Sequence, residues 1–273
     1  ELTVEQVEKM DDDELERIGQ KKKKKTKRRK FEGNLRYLIS AITICMSAYH
    51  LYTAIFSISP MLQRSYHLSF VLVLVFLLYP ATTKSPVNRP SVIDWFLAAL
   101  SVVAVSNVIL NFKRLASTGG RGNRLDLIFG VITVLLVLEC ARRTVGLVLP
   151  SMAIFLIAYG FFGAYITGPL KHAGFSWKRI IQHLTLTTEG VYGQILGVSS
   201  TFIYMFILFG AFLAVTGMSA VFNDISMALA GGARGGPAKV SVLASGLMGS
   251  ISGSASANVV TTGAFTIPLM RKL

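Results

Sequence analysis

The stretch PAKVSVLASGLMGSISGSASANVVTTGAFTIPL, residues 237–269, decides how the chain is read. Two apolar runs, 238–249 and 259–269, flank a centre that reads Ser250-Ile251-Ser252-Gly253-Ser254-Ala255-Ser256-Ala257-Asn258. A bilayer core takes about 20 apolar residues of helix, and each run supplies roughly half of that. The centre offers glycine, alanine, hydroxyls and one amide. A re-entrant hairpin satisfies both facts: a half-helix in, a polar turn near the midplane, and a half-helix back. Lys239 and Arg271-Lys272 mark its two feet on one side. Unwound backbone is tolerated at that depth only inside protein or along a watery cavity. Broken helices of this kind present carbonyls and helix ends to ions and anionic solutes. A small-xxx-small helix contact accounts for Gly246, Gly249 or Gly253 one at a time. It accounts poorly for a run of small or polar positions broken only by Ile251.

The rest of the chain agrees with a membrane setting. Its 273 residues have a mean hydropathy of +0.55, with 52% apolar and 15% charged. A soluble domain carries about a quarter charged residues. The first 36 residues hold 12 of the 28 Lys+Arg and 9 of the 14 Asp+Glu, which leaves Asp94, Asp126, Glu139, Glu189 and Asp224 for all that follows. So little charge does not cover the surface of a water-soluble enzyme. Cys45 and Cys140 both sit in apolar runs and are read as buried small residues, which excludes a disulfide scaffold. Apolar runs at 35–58, 62–79, 93–112, 125–140, 145–167 and 195–216 predict six spans, the third opened by Ser91 as a cap. Residues 174–193, with Trp177, Lys178, Arg179, His183 and Glu189, are too polar to span and suit a helix lying in the interface. Residues 218–229 are moderately amphipathic, and 231–237 form a glycine-rich break. The expected fold is an all-α polytopic membrane protein with about six transmembrane helices, an interfacial helix and one re-entrant helical hairpin at 237–270.

Residues 1–34 read as a charged cytoplasmic tail, acidic first and then basic at Lys21 to Lys25, Lys27, Arg28, Arg29 and Lys30. Such a block matches a nucleic-acid patch by pattern. It has no interleaved aromatic residue on which a base would stack, so no nucleic-acid partner is expected. Directly before a first span, it is retained in the cytoplasm and meets anionic lipid headgroups. With the N-terminus inside, Lys84, Arg89, Arg142, Arg143, Arg234, Lys239, Arg271 and Lys272 fall on the same side. The loop with Lys113, Arg114, Arg121 and Arg124 is the exception.

The run GGPAKVSVLASGLMGSISGSASANVVTTGAFTIPLMRKL, residues 235–273, resembles the first hairpin of the large membrane subunit of tripartite ATP-independent periplasmic (TRAP) transporters. It is most similar to fused permeases that work with TAXI-type binding proteins. LTLTTEGVYGQILGVSSTFIYMFILFGAFL (184–213) and LDLIFGVITVLLVLECARRTVG (125–146) resemble the same family, so the likeness spans about 125–273. Residues 35–143 resemble the small subunit by topology alone, and 144–273 look like the start of the large-subunit transport module. Dicarboxylate- and sialate-type subunits usually carry aspartate where this chain has Asn258, which alters the charge balance at that point. The family fold resembles an inverted repeat, and the second hairpin has no counterpart before Leu273. The chain is therefore read as an N-terminal portion of a permease.

The resemblance implies a secondary transporter of a bacterial inner membrane, multi-pass with a cytoplasmic N-terminus. A periplasmic TAXI-type binding protein would deliver a small organic acid, and a cation gradient, expected to be Na⁺, would drive uptake. Na⁺ prefers hard oxygen ligands, so carbonyls of Ser250, Ser252 and Gly253 are assigned to the cation. Ser254, Ser256 and Asn258 are assigned to the substrate carboxylate, with help from helix N-terminal N–H groups. No organic cofactor, no metal beyond that Na⁺ site and no catalytic residues are expected, since nucleophile–base pairs, metal-ligand clusters and a GK[ST] phosphate loop are lacking. The competing expectation is a membrane scaffold, or a truncated and inactive permease fragment. Elsewhere, Glu139 is expected to pair with Arg142 and Arg143 on one helix face. His50 is expected to snorkel near the outer interface, and Glu189 and Asp224 to tie the interfacial helix to its neighbours.

Overall fold

The structure, a computed structural model, describes residues 28–29, 31, 33–82, 85–86, 88–251, 255, 258–259, 262–263, 266–267 and 270. Helices α1 (Asn34–Ile55), α2 (Pro60–Leu78), α3 (Val92–Leu110), α4 (Phe112–Ser117), α5 (Arg124–Thr144) and α6 (Val148–Phe162) come first. A 3₁₀ turn, Gly163–Tyr165, ends α6, and α7 (Trp177–Thr185) follows. Next, α8 (Gln194–Val198) runs through a π-helical stretch, Ser199–Ile203, into α9 (Tyr204–Val215). The series closes with α10 (Met218–Ala230) and α11 (Gly236–Ile251).

Five helical stretches are long and apolar enough to cross a membrane: Asn34–Ile55, Pro60–Leu78, Val92–Leu110, Val148–Tyr165 and Gln194–Leu213. Helix α5, of 21 residues, corresponds to the expected span at 125–140 but is not among these five; it keeps its charges towards its two ends, and it is longer than the sequence predicts because Arg142 and Arg143 remain helical. Helix α6 shows what surrounds these spans. It is apolar on every face, Pro150 is its buried residue, and Met152, Phe155 and Leu156 are more than half exposed. A helix that is apolar all round needs an apolar solvent. The chain is an all-α, multi-pass membrane protein.

The chain divides into two compact units. One takes the described residues up to Thr43 together with Ser65–Val191; the other takes Ile44–Arg64 and the residues from Tyr192 onward. In the first unit α3 packs on α5, and α5 packs on α6 and α7. Both α3 and α5 start with reciprocal caps. The Ser91 hydroxyl accepts from the Asp94 N–H while the Asp94 carboxylate accepts from the Ser91 N–H; Asn123 and Asp126 do the same for α5. Each satisfies N–H groups that the first turn of a helix leaves open.

Those two capping aspartates also pair with three arginines of this unit. Asp94 is buried and receives Arg29 Nη2 at 2.7 Å and Arg143 Nη1 at 2.6 Å, and both guanidinium groups are buried too. Arg143 also donates to Glu139 at 2.7 Å, which takes a second arginine, Arg142, at 2.7 Å. Spare arginine protons go to carbonyls at and beyond the end of α2. Arg29 reaches Leu77 O at 3.0 Å, Arg143 reaches Tyr79 O at 3.0 Å and Arg142 reaches Ala81 O at 2.8 Å. Cations at a helix C-terminus complement its dipole and its unpaired carbonyls. Phe76 lies 5.0 Å under the Arg143 guanidinium. Asp126, buried as well, takes Arg114 in a two-pronged bond of 2.8 Å and Asn107 at 3.0 Å.

Three expectations need correction here. Arg29 does not join the rest of the basic block in meeting headgroups: it is a buried ion-pair partner, because Asp94 offers a carboxylate beside the carbonyl end of α2. Lys21 to Lys25, Lys27 and Lys30 lie outside the described residues. Cys45 is exposed and Cys140 half-buried, since both lie on helices that show much of their surface to the outside. Glu189 and Asp224 are exposed and make no ion pair with a described residue. Helix α7 is held instead by close packing. A Cβ on Gly130 of α5 would lie 2.5 Å from Thr185 Oγ1 and 2.8 Å from Ile181 Cγ2 of α7. Trp177, at the first position of α7, is 56% exposed, in keeping with a headgroup-level ring.

Candidate functional site

The hairpin belongs to the second unit, where α10 and α9 both pack on α11 and bury Val240, Ala244 and Met248. Helix α11 has 16 residues, about 24 Å at the usual rise, which is short of a full crossing. It runs two residues further than its apolar stretch, so Ser250 lies in its last turn with Oγ donating to Leu247 O at 2.7 Å. The described residues from Asn258 onward are helical again. Ala255 is helical too, so Asn258 lies on helical backbone instead of ending an open turn.

Asn258 clasps the two arms. Its Nδ2 donates to Ser245 O at 3.1 Å and to Ser245 Oγ at 3.3 Å, and its Oδ1 accepts from Thr262 Oγ1 at 3.0 Å. A Cβ on Gly249 would lie 3.3 Å from Asn258 Nδ2, so the glycine lets the amide come close. Thr266 Oγ1 continues the row by donating to Thr262 O at 2.9 Å. The arms enclose an open cavity of about 490 Å³, lined by Ser241, Ser245 and Gly246 of α11 and by Val259, Thr262 and Thr266 of the return. Its polar groups are hydroxyls and backbone, with no charged side chain among the described residues of the lining. Such a surface suits a hard cation or the oxygens of a small polar solute, both of which it meets with oxygen atoms.

Of the six residues assigned from sequence, the structure describes Ser250, in the last turn of α11, and Asn258, which bonds to Ser245 of that helix. Ser252, Gly253, Ser254 and Ser256 lie outside the described residues, as do Arg271 and Lys272. Ser241, Ser245, Thr262 and Thr266 were missed. Their signal was legible: Ser241 and Ser245 are four apart, as are Asn258, Thr262 and Thr266, which puts each set on one helical face.

A second polar cluster in the same unit centres on His50, which is 1% exposed and does not snorkel. Its Nδ1 lies 2.7 Å from Met46 O, and its ring stacks on Tyr204 at 4.0 Å. The Tyr204 hydroxyl pairs with Ser47 Oγ at 2.9 Å. His50 shares a cavity of about 540 Å³ with Gln63, Ser200, Thr201 and Phe206. Ser200 and Thr201 lie in the π-helical stretch and both donate to Gly197 O at 2.9 Å. Arg64 donates to Tyr192 O at 2.7 Å and lies against Gly197, where a Cβ would come within 2.8 Å of it. Among the described residues no group of three or more His, Cys, Asp or Glu is placed to hold a metal ion.

Neither the curated proteins nor the solved structures contain a match to the chain. One sequence family does match: the tripartite ATP-independent periplasmic transporter, DctM component, whose profile covers residues 132–273. The matched region takes in most of α5 and everything after it, the hydroxyl-lined hairpin included. This is a family of transporters and not of enzymes, and with more than half its length inside the match the chain belongs to the DctM component family of TRAP transporter permeases.

Proposed function

We propose that the chain is the fused, TAXI-type form of this permease, with residues 35–143 standing for the small subunit and 144–273 for the start of the large one. It works in the uptake of a small organic acid that a periplasmic binding protein delivers, with Na⁺ as the coupling ion. The observation that carries this reading is the Asn258 clasp. It holds two sub-membrane-length helical arms together around Ser250–Asn258 and leaves a cavity faced by oxygen atoms. Carbonyls of Ser250, Ser252 and Gly253 would take the cation. Ser254, Ser256 and Asn258 would take the carboxylate, with help from helix N-terminal N–H groups, which anions favour. Helices α1 to α4 and the start of α5 precede residue 132, which leaves room for a small-subunit-like segment largely ahead of the matched region.

We place the N-terminus in the cytoplasm of an inner membrane. Arg114, one of the four cations that oppose this orientation, is neutralised by Asp126. That reduces the outside positive charge the rule has to tolerate.

The test is a single cysteine at Ser254 in a background of Cys45→Ala and Cys140→Ala, introduced into the permease in membrane vesicles. It should react with a small aqueous thiol reagent and be protected at least several-fold by Na⁺, but not by K⁺. A thiol inert under every condition would mean a dry turn and a scaffold instead of a transport site. Reactivity that Na⁺ leaves unchanged would remove Na⁺ from the proposal.

A further inference from the structure

The end of the basic tail builds a second, separate site. Arg29 fastens the chain at this point. Its side chain is buried on Asp94, Leu77 O and Pro86 O, and its N–H donates to Leu78 O at 2.8 Å. The residues beside it are therefore placed by the fold. Arg28, Phe31, Arg36, Ile39, Ser40 and Leu78 line an open groove of about 520 Å³ at the first turns of α1, with Arg29 at its base. Arg28 and Arg36 are exposed and make no ion pair with a described residue, and both line the groove. The rest of the lining includes the apolar Phe31, Ile39 and Leu78.

Charge and hydrocarbon in one lining describe the occupant. Helix α1 is long and apolar enough to cross the bilayer, so its first turns sit at headgroup depth, whichever leaflet that is. Arginine pairs with phosphate through two parallel N–H···O bonds, which lysine does not offer. The Ser40 hydroxyl adds a small donor beside them. Two arginines lining one groove carry more positive charge than the single phosphate of a zwitterionic headgroup, itself offset by a cation, so the complement is a lipid of net negative charge. We infer that this groove is a binding site for one anionic phospholipid, whose phosphate lies between Arg28 and Arg36 and whose acyl chain follows Ile39 and Leu78.

Native mass spectrometry of the purified 273-residue chain in a neutral detergent tests this, with dioleoylphosphatidylglycerol and dioleoylphosphatidylcholine added in parallel. One phosphatidylglycerol should be retained at least fivefold more than phosphatidylcholine. The Arg28→Gln/Arg36→Gln variant should remove that preference, while 10 mM inorganic phosphate should not displace the lipid. A variant with Lys21 to Lys25 changed to Gln should keep the bound lipid. Equal retention of both lipids, or unchanged retention in the double variant, would overturn the site. So would loss of the lipid in the lysine variant alone, which would assign the affinity to the tail as a whole. Full displacement by inorganic phosphate would make it a free-anion site. An unchanged thermal melt of the double variant, compared with the parent chain, separates lost binding from lost folding, and Leu78→Trp supplies a second reading by blocking the acyl path with both arginines intact. If the double variant does not fold, retention of the lipid by Leu78→Trp overturns the proposal and its loss supports it.

Discussion

Asp94 shows how much one side chain carries in this protein. It caps α3, neutralises two buried arginines and, through them, fastens the carbonyl end of α2. Removing one member of a buried ion pair leaves the partner charge without compensation, at a cost of about 3–5 kcal/mol. Asp94→Asn keeps the size and much of the cap, so it isolates the charge. It is expected to lower stability by about that amount, read as a large drop in the melting temperature of the detergent-solubilised protein. Glu139→Gln should cost less than about 1 kcal/mol, because the Glu139 carboxylate is 26% exposed and its pairs are screened. Equal losses in the two variants would refute the assignment of Asp94 as the central anion. Asn258 has a comparable place in the hairpin. Asn258→Asp replaces the donor to Ser245 O with an acceptor, and the broken clasp should cost about 1–3 kcal/mol by the same melt.

At the scale of elements, contact in this protein depends on small residues and on irregular helix. Helix α7 is strongly amphipathic in sequence and lies against α5 where Gly130 has no side chain. Gly130→Leu should lift α7 away from α5. In a Trp95→Phe background, Trp177 would then become more accessible to an aqueous quencher, while the far-ultraviolet helix signal stays near that of the parent. Quenching that does not change would mean that α7 is held by something other than this contact. The π-helical stretch Ser199–Ile203 is a different device. It adds a residue to a turn, and Ser200 and Thr201 then bond back to Gly197. Single π turns recur at functional sites, and this one borders the His50 cavity.

For the whole molecule, the two compact units do not follow the order of the chain, since α1 and α2 each contribute residues to both. Orientation in the membrane is the property most open to measurement. Thr118 lies on an exposed loop between α4 and α5, and Asn88 on one between α2 and α3. With a cytoplasmic N-terminus, Thr118→Cys in the background without Cys45 and Cys140 should be labelled in intact cells by a membrane-impermeant thiol reagent. Asn88→Cys should be labelled only after the membrane is opened. The reverse pattern would invert the topology.

The sequence by itself determined the solvent, the helical class and the approximate bounds of the five apolar helices long enough to cross a membrane, because apolar runs of given length leave the backbone few alternatives in lipid. It also carried the Glu139 pairing with Arg142 and Arg143, a local matter of helical spacing. The tertiary structure alone decided what meets across distance. Arg29 and Asp94 are 65 positions apart, and nothing in a run of lysines and arginines marks which one will be buried. The burial of His50 depends on Tyr204, and the clasp of Asn258 on Ser245 of the opposite arm. Composition and periodicity report which face of a helix is polar. Which polar group of another helix that face will meet is a property of packing, and it becomes visible only when the helices are assembled.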